Sequence, residues 1–170
     1  MLIRSISGIR GLVKEDLTRN TIIQYANALH NGLNPGVIYA GRDSRTSGET
    51  IIEIMIQELL KLGRTVIYCG IVPTPTIQYM VHTTEAVGAF IITASHNPIE
   101  WNGFKFIRND GTFFRPNECQ NLFSIMDKNN FTKHENDLGE IMQDVNAVQK
   151  HIINILGLSC IDISQIRKRR

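Results

Sequence analysis

The sequence predicts an α/β fold, specifically a three-layer helix-sheet-helix sandwich with a mixed, largely parallel sheet. Apolar strand segments alternate with amphipathic helix segments through residues 1–92, which is the order of βαβ units. The strand segments are apolar throughout, as is typical of strands that helices cover on both faces. A chain of 170 residues is also long enough for one domain with a sizeable core.

The first unit is a strand, a helix and a second strand. Leu2, Ile3 and Ile6 predict a short strand, and a flexible turn follows at 7–11. Thr18 can cap a helix whose apolar positions recur at helical spacing, namely Ile22, Ala26, Leu29 and Leu33. The sequence Asn-Pro-Gly at 34–36 ends this helix, and 37–40 predicts a buried strand.

The same order repeats in the next segment. Thr46 and Glu49 match the T-x-x-E capping box before a second helix, and Gly63 stands where a C′ glycine belongs. The next strand is predicted at 65–69. Pro75 then lies in the first turn of a third, shorter helix, and 87–92 forms another apolar strand.

The pattern changes after residue 95. The segment 103–107 and the turn at 109–111 predict a hairpin, so we expect a mixed sheet. A helix should run from Pro116 to about residue 127, followed by a polar loop at 128–140. A last amphipathic helix ends at Gly157 and contains Ile141, Val145, Val148, Ile152 and Ile155. No closing element is predicted after it.

Composition excludes several classes of protein. The net charge of +2 is too small for a nucleic-acid-binding protein, and the basic run at 166–170 is interpreted as a solvated segment. No apolar run reaches the roughly 20 residues of a membrane span, and no signal-peptide core is present. We therefore expect a cytoplasmic protein without a membrane partner. The three cysteines lack metal-site spacing and are predicted to be buried free thiols.

Three loops are predicted at one edge of the sheet, at 41–45, 70–75 and 93–98. Each follows a predicted strand, and ligands of open α/β sheets bind beyond the carboxyl ends of the strands. Arginines, small hydroxyl residues and the adjacent Ser95 and His96 would then share this edge. Such a set suits an anionic ligand such as phosphate.

Known catalytic motifs narrow the chemistry. The sequence around Ser95 lacks the G-x-S-x-G elbow of hydrolases, and no P-loop pattern is present. The five histidines are scattered without metal-ligand spacing. With these types of site unsupported, a serine that carries a phosphoryl group remains as the candidate reacting group. Phosphoryl transfer needs cations that offset the phosphate charge, and the candidates are Arg10, Arg42 and Arg45. It also needs a base, for which His96 or Lys105 is a candidate. A Mg²⁺ ion would bind the phosphate oxygens.

Four short motifs carry a resemblance to a known family. TASHNP at 93–98 with NGFK at 102–105 closely resembles the catalytic serine loop of the α-D-phosphohexomutases. SGIRG at 7–11 and GRDSR at 41–45 look like two further family motifs in the expected order. This family interconverts hexose 1-phosphates and hexose 6-phosphates through a phosphoserine and a bisphosphorylated sugar.

The resemblance implies a role for each matching residue. Ser95 matches the phosphoserine, whose phosphate supplies one magnesium ligand, and His96 matches a neighbour that orients it or exchanges protons. Lys105 matches a general acid/base, and Arg10 an arginine close to the reacting centre. The resemblance also implies support of the active site by Arg42, Asp43, Arg45, Asn97 and Asn102. The residues alone suit another interpretation of 42–45, an internal ion-pair network that fixes the loop.

The family pattern also sets an expectation for domains. Members have four, and the aspartate-rich metal loop and the sugar-selecting loop belong to later domains and are not found in this sequence. We expect 1–157 to be the first, catalytic-serine domain and 158–170 to begin a linker, with domains 2–4 as missing partners. Such a fragment should be inactive alone. Two alternatives stay open, a non-catalytic sugar-phosphate or partner-binding module and an unfamiliar serine hydrolase, and the sugar is not specified.

Overall fold

The computed structural model describes residues 2–6, 8–128 and 137–169. Ser7 of the SGIRG motif and residues 129–136 of the predicted polar loop lie outside them. The elements in chain order are β1 (Ile3–Ser5), β2 (Gly8–Leu12), α1 (Arg19–Gly32), β3 (Ile38–Arg42), α2 (Ser47–Lys61), β4 (Val66–Ile71), α3 (Thr74–His82), β5 (Gly88–Ile92), β6 (Trp101–Arg108), α4 (Pro116–Lys128), β7 (Ile141–Gln143), α5 (Ala147–Leu156) and α6 (Ile163–Lys168).

The described strands form one mixed sheet in the order β1-β2-β6-β5-β3-β4-β7. Strands β5, β3, β4 and β7 run parallel, whereas the β5–β6, β6–β2 and β2–β1 pairs are antiparallel. Helices α1, α2 and α4 pack on one face, and α3 and α5 pack on the other. The predicted three-layer α/β sandwich with a mixed sheet is confirmed.

Alternation along β5 shows how the core is divided. Phe90 and Ile92 pack under α1 and α2, while Ala89 and Ile91 face α3. All four side chains are buried, which explains why the strand is apolar at every position. Burying a large apolar side chain such as Phe90 stabilises the fold by about 1.5–3 kcal/mol relative to its exposure.

Three of the predicted helix ends show how local capping signals perform. Thr18 caps α1 by accepting a hydrogen bond from the Thr21 N–H at 3.2 Å. Gly63 follows α2 with a φ of 75°, as a C′ glycine does. The capping box at Thr46 is not formed, because Thr46 itself has helical angles and its side chain makes no capping hydrogen bond.

Strand pairing overrides the predicted last helix at its beginning. Residues Ile141–Gln143 form β7 beside β4, and only Ala147–Leu156 is helical. The edge of β4 presents unpaired backbone groups, and β7 satisfies them, beginning with the hydrogen bond from Val66 N–H to the Glu140 carbonyl. The spacing of apolar residues within 141–155 carries no information about the backbone groups of β4 that need hydrogen-bond partners.

Other differences concern the predicted turn near the N-terminus, the hairpin and the C-terminal segment. The turn expected at 7–11 is wrong for Gly8 to Gly11, which belong to strand β2, because β1 and β6 pair with it on both sides. The predicted turn at 109–111 forms, but the returning chain pairs with β6 only through the bridge between Ile107 and Phe113. After Gly157 the short helix α6 (Ile163–Lys168) forms, so the expectation of no element there is wrong. Asp162 caps it, because its side chain accepts hydrogen bonds from two backbone N–H groups. Cys160 is exposed, contrary to prediction, while the other two thiols are buried. Among the described residues, none of the helices is long and apolar enough to span a membrane.

Candidate active site: the serine loop

The candidate site lies where the parallel strands β3 and β5 end. The loop after β5 contains Ser95, and the loop after β3 contains Asp43 and Arg45. A depression of about 380 Å³ between them is lined by Asp43, Ser44, Arg45, Ser95, Asn97 and Ile99. The third loop expected at this edge, after β4, supplies none of these lining residues.

Ser95 is exposed and has an unusual backbone conformation. Its φ is 58°, and Lys14 is the other non-glycine residue with positive φ in the described part of the chain. The Ser95 N–H donates to the Thr93 hydroxyl oxygen at 3.0 Å, which holds this turn. A left-handed conformation costs a non-glycine residue on the order of 1–2 kcal/mol, and such strain concentrates at functional sites.

His96 is also exposed, with its Nδ1 3.5 Å from the Ser95 hydroxyl oxygen. An extended backbone would have turned the ring away, but the left-handed Ser95 brings it near. A base that activates a serine nucleophile stands at roughly 2.6–3.2 Å. The pair is therefore not a formed nucleophile–base pair, and this geometry gives the hydrolase alternative no support.

Arg45 braces the serine loop from the neighbouring β3 loop. Its backbone N–H and its Nε both contact the Asp43 carboxylate, at 3.0 and 3.3 Å. Its guanidinium donates to four backbone carbonyl oxygens at 2.6–3.1 Å, those of Ser95, Asn97, Pro98 and Trp101. The planar donor set of arginine suits this fan of acceptors. One ion pair, between Arg45 and Asp43, agrees with the interpretation of charged contacts that fix the loop.

Arg42 points elsewhere. Its Nε donates to the Tyr68 hydroxyl at 3.2 Å, and its Nη1 donates to the Asp43 carbonyl at 3.2 Å. It therefore ties the end of β3 to β4 rather than contacting the serine loop directly.

Strand β2 brings one further cation to the loop, and β6 carries Lys105, whose side chain extends towards Phe113. Arg10 pairs in register with Gly103 and donates from Nη1 to the Asn97 side-chain oxygen at 3.2 Å. Lys105 is half-buried, with its Nζ 5.5 Å from the centroid of the Phe113 ring. Burial lowers the pKa of Lys105, and the positive charge of Arg10 lowers it further. Such a shift brings an ammonium closer to proton exchange near neutral pH.

Asn102 joins strand β6 to the start of α2. It is fully buried, accepts from the Gly103 N–H at 2.9 Å and donates to the Ser47 hydroxyl at the start of α2, also at 2.9 Å. A Cβ on Gly103 would lie 2.0 Å from the Ile9 carbonyl oxygen, so only glycine permits β2 to approach this closely.

The sequence predicted no individual role for three contributing residues, namely Ser47, Thr93 and Gly103, although the last two lie in the motifs at 93–98 and 102–105. Two of them carried a readable signal. A threonine two residues before a turn residue is the pattern of a hydroxyl that accepts a local N–H, and glycine inside a strand marks close backbone approach. Ser47 lies 55 positions from Asn102, so nothing local links the two.

The residues at this site do not form a metal cage. The described residues contain no group of three or more His, Cys, Asp or Glu side chains that could hold a metal ion. Asp43, the carboxylate lining the depression, is engaged by Arg45. The described side chains of this site therefore do not by themselves provide a magnesium site.

Fold and site together define an α/β domain that presents a strained, exposed serine among cations at the carboxyl edge of its parallel strands. The family model described as phosphoglucomutase/phosphomannomutase, alpha/beta/alpha domain I, matches residues 2–133. The chain belongs to this family, and the match identifies domain I.

Individual relatives agree with this assignment. The chain is 35% identical over 161 residues to a protein named "Probable phosphoglucosamine mutase" from Methanopyrus kandleri, covering 95% of this chain and 36% of that protein. It is 32% identical over 167 residues to a phosphoglucosamine/phosphogalactosamine mutase from Sulfurisphaera tokodaii, with coverages of 95% and 36%. The chain thus spans about a third of the length of the curated relatives that it matches.

Solved structures show the same fold. A crystal structure of a phosphoglucomutase/phosphomannomutase family protein from Burkholderia thailandensis superposes with a TM-score of 0.74 at 21% identity. The superposition covers 91% of this chain and 36% of the other. At this identity the likeness concerns the fold.

Proposed function

We propose that the chain is the catalytic-serine domain of a phosphohexomutase, which interconverts hexose 1-phosphate and hexose 6-phosphate. Ser95 carries the transferable phosphoryl group. The observation that carries the proposal is the exposed, left-handed Ser95 within a loop braced by Arg45, inside a chain that belongs to the mutase family. Strain at a solvent-facing serine, fixed by charged hydrogen bonds, suits a reacting group better than a simple turn.

The proposed chemistry is two phosphoryl transfers. The sugar hydroxyl attacks the phosphorus of phosphorylated Ser95 and gives its proton to a base. The bond from phosphorus to the serine oxygen breaks, the serine oxygen takes up a proton, and a bisphosphorylated sugar forms. After this intermediate reorients, the Ser95 oxygen attacks its other phosphorus and loses its proton to a base, while the bond from that phosphorus to the sugar oxygen breaks and the sugar oxygen takes up a proton. The product is the isomeric hexose phosphate, and the phosphoserine is restored.

The charged residues suit this chemistry. Arg10 lies against the serine loop through Asn97, where its charge offsets that of a transferring phosphoryl group. Lys105, whose pKa is lowered by burial and by Arg10, is the proposed general acid/base. His96 is the proposed orienting or proton-exchanging neighbour of Ser95. Asp43, Arg45 and Asn97 are proposed to support the loop itself. Arg42 and Asn102 are proposed to support it indirectly, from the end of β3 and the start of β6.

Magnesium is the proposed cofactor. It would neutralise phosphate oxygens during transfer, with one ligand from the phosphate on Ser95. Since the described residues offer no carboxylate cluster, its remaining ligands would come from outside them.

Further domains of a longer chain, domains 2–4 of the family pattern, are the proposed partners, and 158–170 is proposed to begin the linker after domain 1–157. The short span relative to the mutase relatives supports this, and so does an apolar flank on α5 and α6. Its exposed side chains are Val148, Ile152, Ile153, Ile155, Leu156, Ile163 and Ile166. A surface of this kind marks an interaction site. A cytoplasmic location accompanies the proposal.

The test is phosphorylation of the serine. The purified chain is incubated for hours with glucose 1,6-bisphosphate and Mg²⁺ and followed by intact mass and peptide mapping. We expect slow addition of one phosphoryl group at Ser95, none in Ser95→Ala, and no useful mutase turnover by the chain alone. Absence of phosphate from Ser95 would refute the phosphoserine, and robust turnover would refute the need for further domains. Labelling of Ser95 by a fluorophosphonate would favour the hydrolase alternative instead.

A further inference from the structure

We propose that Thr93 is a positioning residue for Ser95, and that its hydroxyl sets the conformation in which Ser95 reacts. This inference rests on the proposed function of Ser95. Thr93 has only 7% of its surface exposed, yet its Oγ1 faces the loop and accepts the Ser95 N–H at 3.0 Å. Nothing in the mechanism above uses this hydroxyl.

The backbone around Thr93 is anchored on the sheet. Its N–H donates to the Gly103 carbonyl at 3.0 Å, just beyond the end of β5. Two residues later the chain adopts the left-handed conformation at Ser95, and the Asn97 N–H then returns to the Ala94 carbonyl at 3.1 Å. The Thr93 hydroxyl thus joins a rigid point on the sheet to the residue that carries the reacting oxygen.

Geometry explains why this one contact matters. With φ at 58°, the Cα–Cβ bond of Ser95 points in a direction that a negative φ would not reproduce. Arg45 holds the carbonyl side of Ser95, but the N–H side depends on Thr93. Without an acceptor for that N–H, the strained conformation loses a hydrogen bond that stabilises it, and relaxation to negative φ redirects the serine oxygen.

Three variants separate positioning from general stability. Thr93→Val keeps the shape and removes the acceptor, whereas Thr93→Ser keeps the hydroxyl. Thr18→Val is the matched control, because the Thr18 hydroxyl also accepts one backbone N–H, that of Thr21, but at the start of α1. It should lower stability by a similar amount without changing Ser95.

Two readouts are taken on the 170-residue chain. NMR reports amide exchange of Ser95 and the strong intraresidue amide-to-Hα NOE of a positive φ. Mass spectrometry reports the rate of Ser95 phosphorylation by glucose 1,6-bisphosphate with Mg²⁺. In Thr93→Val we expect loss of the NOE, and about tenfold faster exchange and about tenfold slower phosphorylation, the change that one lost hydrogen bond of about 1.4 kcal/mol produces. Thr93→Ser and Thr18→Val should stay within about twofold of the unmodified chain in both.

Retention of positive φ in Thr93→Val, or an unchanged phosphorylation rate in that variant, would overturn the proposal. So would a Thr93→Ser variant that behaves like Thr93→Val. If the unmodified chain takes up no phosphate, the proposed function of Ser95 fails, while the NOE and exchange comparison still decides whether Thr93 sets its conformation.

Discussion

Replacing Arg45 with methionine should loosen the serine loop before the rest of the fold. Arg45 donates to four carbonyl oxygens of the loop, and two of these bonds are partly buried while two are exposed. Water replaces the exposed pair at little cost, whereas each partly buried bond to a charged donor contributes about 1.5–3 kcal/mol. Allowing for incomplete burial, we expect the loop to lose about 3 kcal/mol of local stability in Arg45→Met.

The assay uses the single tryptophan, Trp101, whose carbonyl is one of the four acceptors. Urea unfolding is followed by Trp101 fluorescence for the loop and by far-UV circular dichroism for the whole domain. The two transitions should coincide in the unmodified chain and separate in Arg45→Met, with fluorescence changing at lower urea. The separation in Arg45→Lys should lie between that of the unmodified chain and that of Arg45→Met, because an ammonium keeps the charge but does not present the planar donor set.

The control is Arg19→Met, at an exposed arginine in the first turn of α1. It should leave both transitions within about 0.5 kcal/mol of the unmodified chain, as exposed substitutions usually do. Coincident transitions in Arg45→Met, with a total loss below about 1 kcal/mol, would show that the four hydrogen bonds do not hold the loop.

Three further predictions concern stability. Arg64 is buried and donates to the His30 and Leu33 carbonyls at the end of α1 at 2.6 and 2.8 Å, so Arg64→Met should lower the unfolding free energy in urea by about 3 kcal/mol; a loss under about 1 kcal/mol contradicts this. Thr18→Val should lower the free energy of unfolding by about 1 kcal/mol, and Thr46→Val by less than about 0.5 kcal/mol, because, of these two threonines, Thr18 alone caps its helix. Equal losses of stability in thermal melts contradict this assignment. Burial, and secondarily the charge of Arg10, lowers the pKa of Lys105 in the folded chain below its ordinary value of 10.5. Between these two pKa values the unfolded chain binds more protons than the folded chain, so the stability of the unmodified chain rises with pH. Lys105→Met should therefore be the more stable chain in urea at pH 7, with an advantage that shrinks towards pH 10.5; a constant difference contradicts this.

Local signals in the sequence were enough for most of the architecture. Thr18 and Gly63 mark helix ends through short-range hydrogen bonding and backbone freedom, and both act as predicted. Continuous apolar segments identify the buried strands, because helices cover them on both faces. The T-x-x-E pattern at Thr46 failed, since a capping residue needs a non-helical backbone and the chain had already turned helical there.

The sequence predicted where on the sheet the candidate site lies, but not which residues contact one another there. Loops after parallel strands meet at one edge by topology, so 41–45 and 93–98 were expected to be neighbours. The four carbonyl oxygens that accept hydrogen bonds from the Arg45 guanidinium lie 50 to 56 positions away, so no short stretch of sequence contains them. Arg42 carries the same charge as Arg45 and lies in the same motif, yet its side chain donates to the Tyr68 hydroxyl.

The sequence by itself determined the alternation of helices and strands from α1 to α4, the edge of the sheet at which the candidate site lies, and the serine in that site. Only the tertiary structure decided that Ile141–Gln143 would join the sheet, that Arg45 rather than Arg42 would hold the loop, and that Ser95 would be left-handed. The physical reason is range. Periodicity and capping are properties of a few adjacent residues, whereas a backbone group finds its hydrogen-bond partner among whatever segments folding brings beside it.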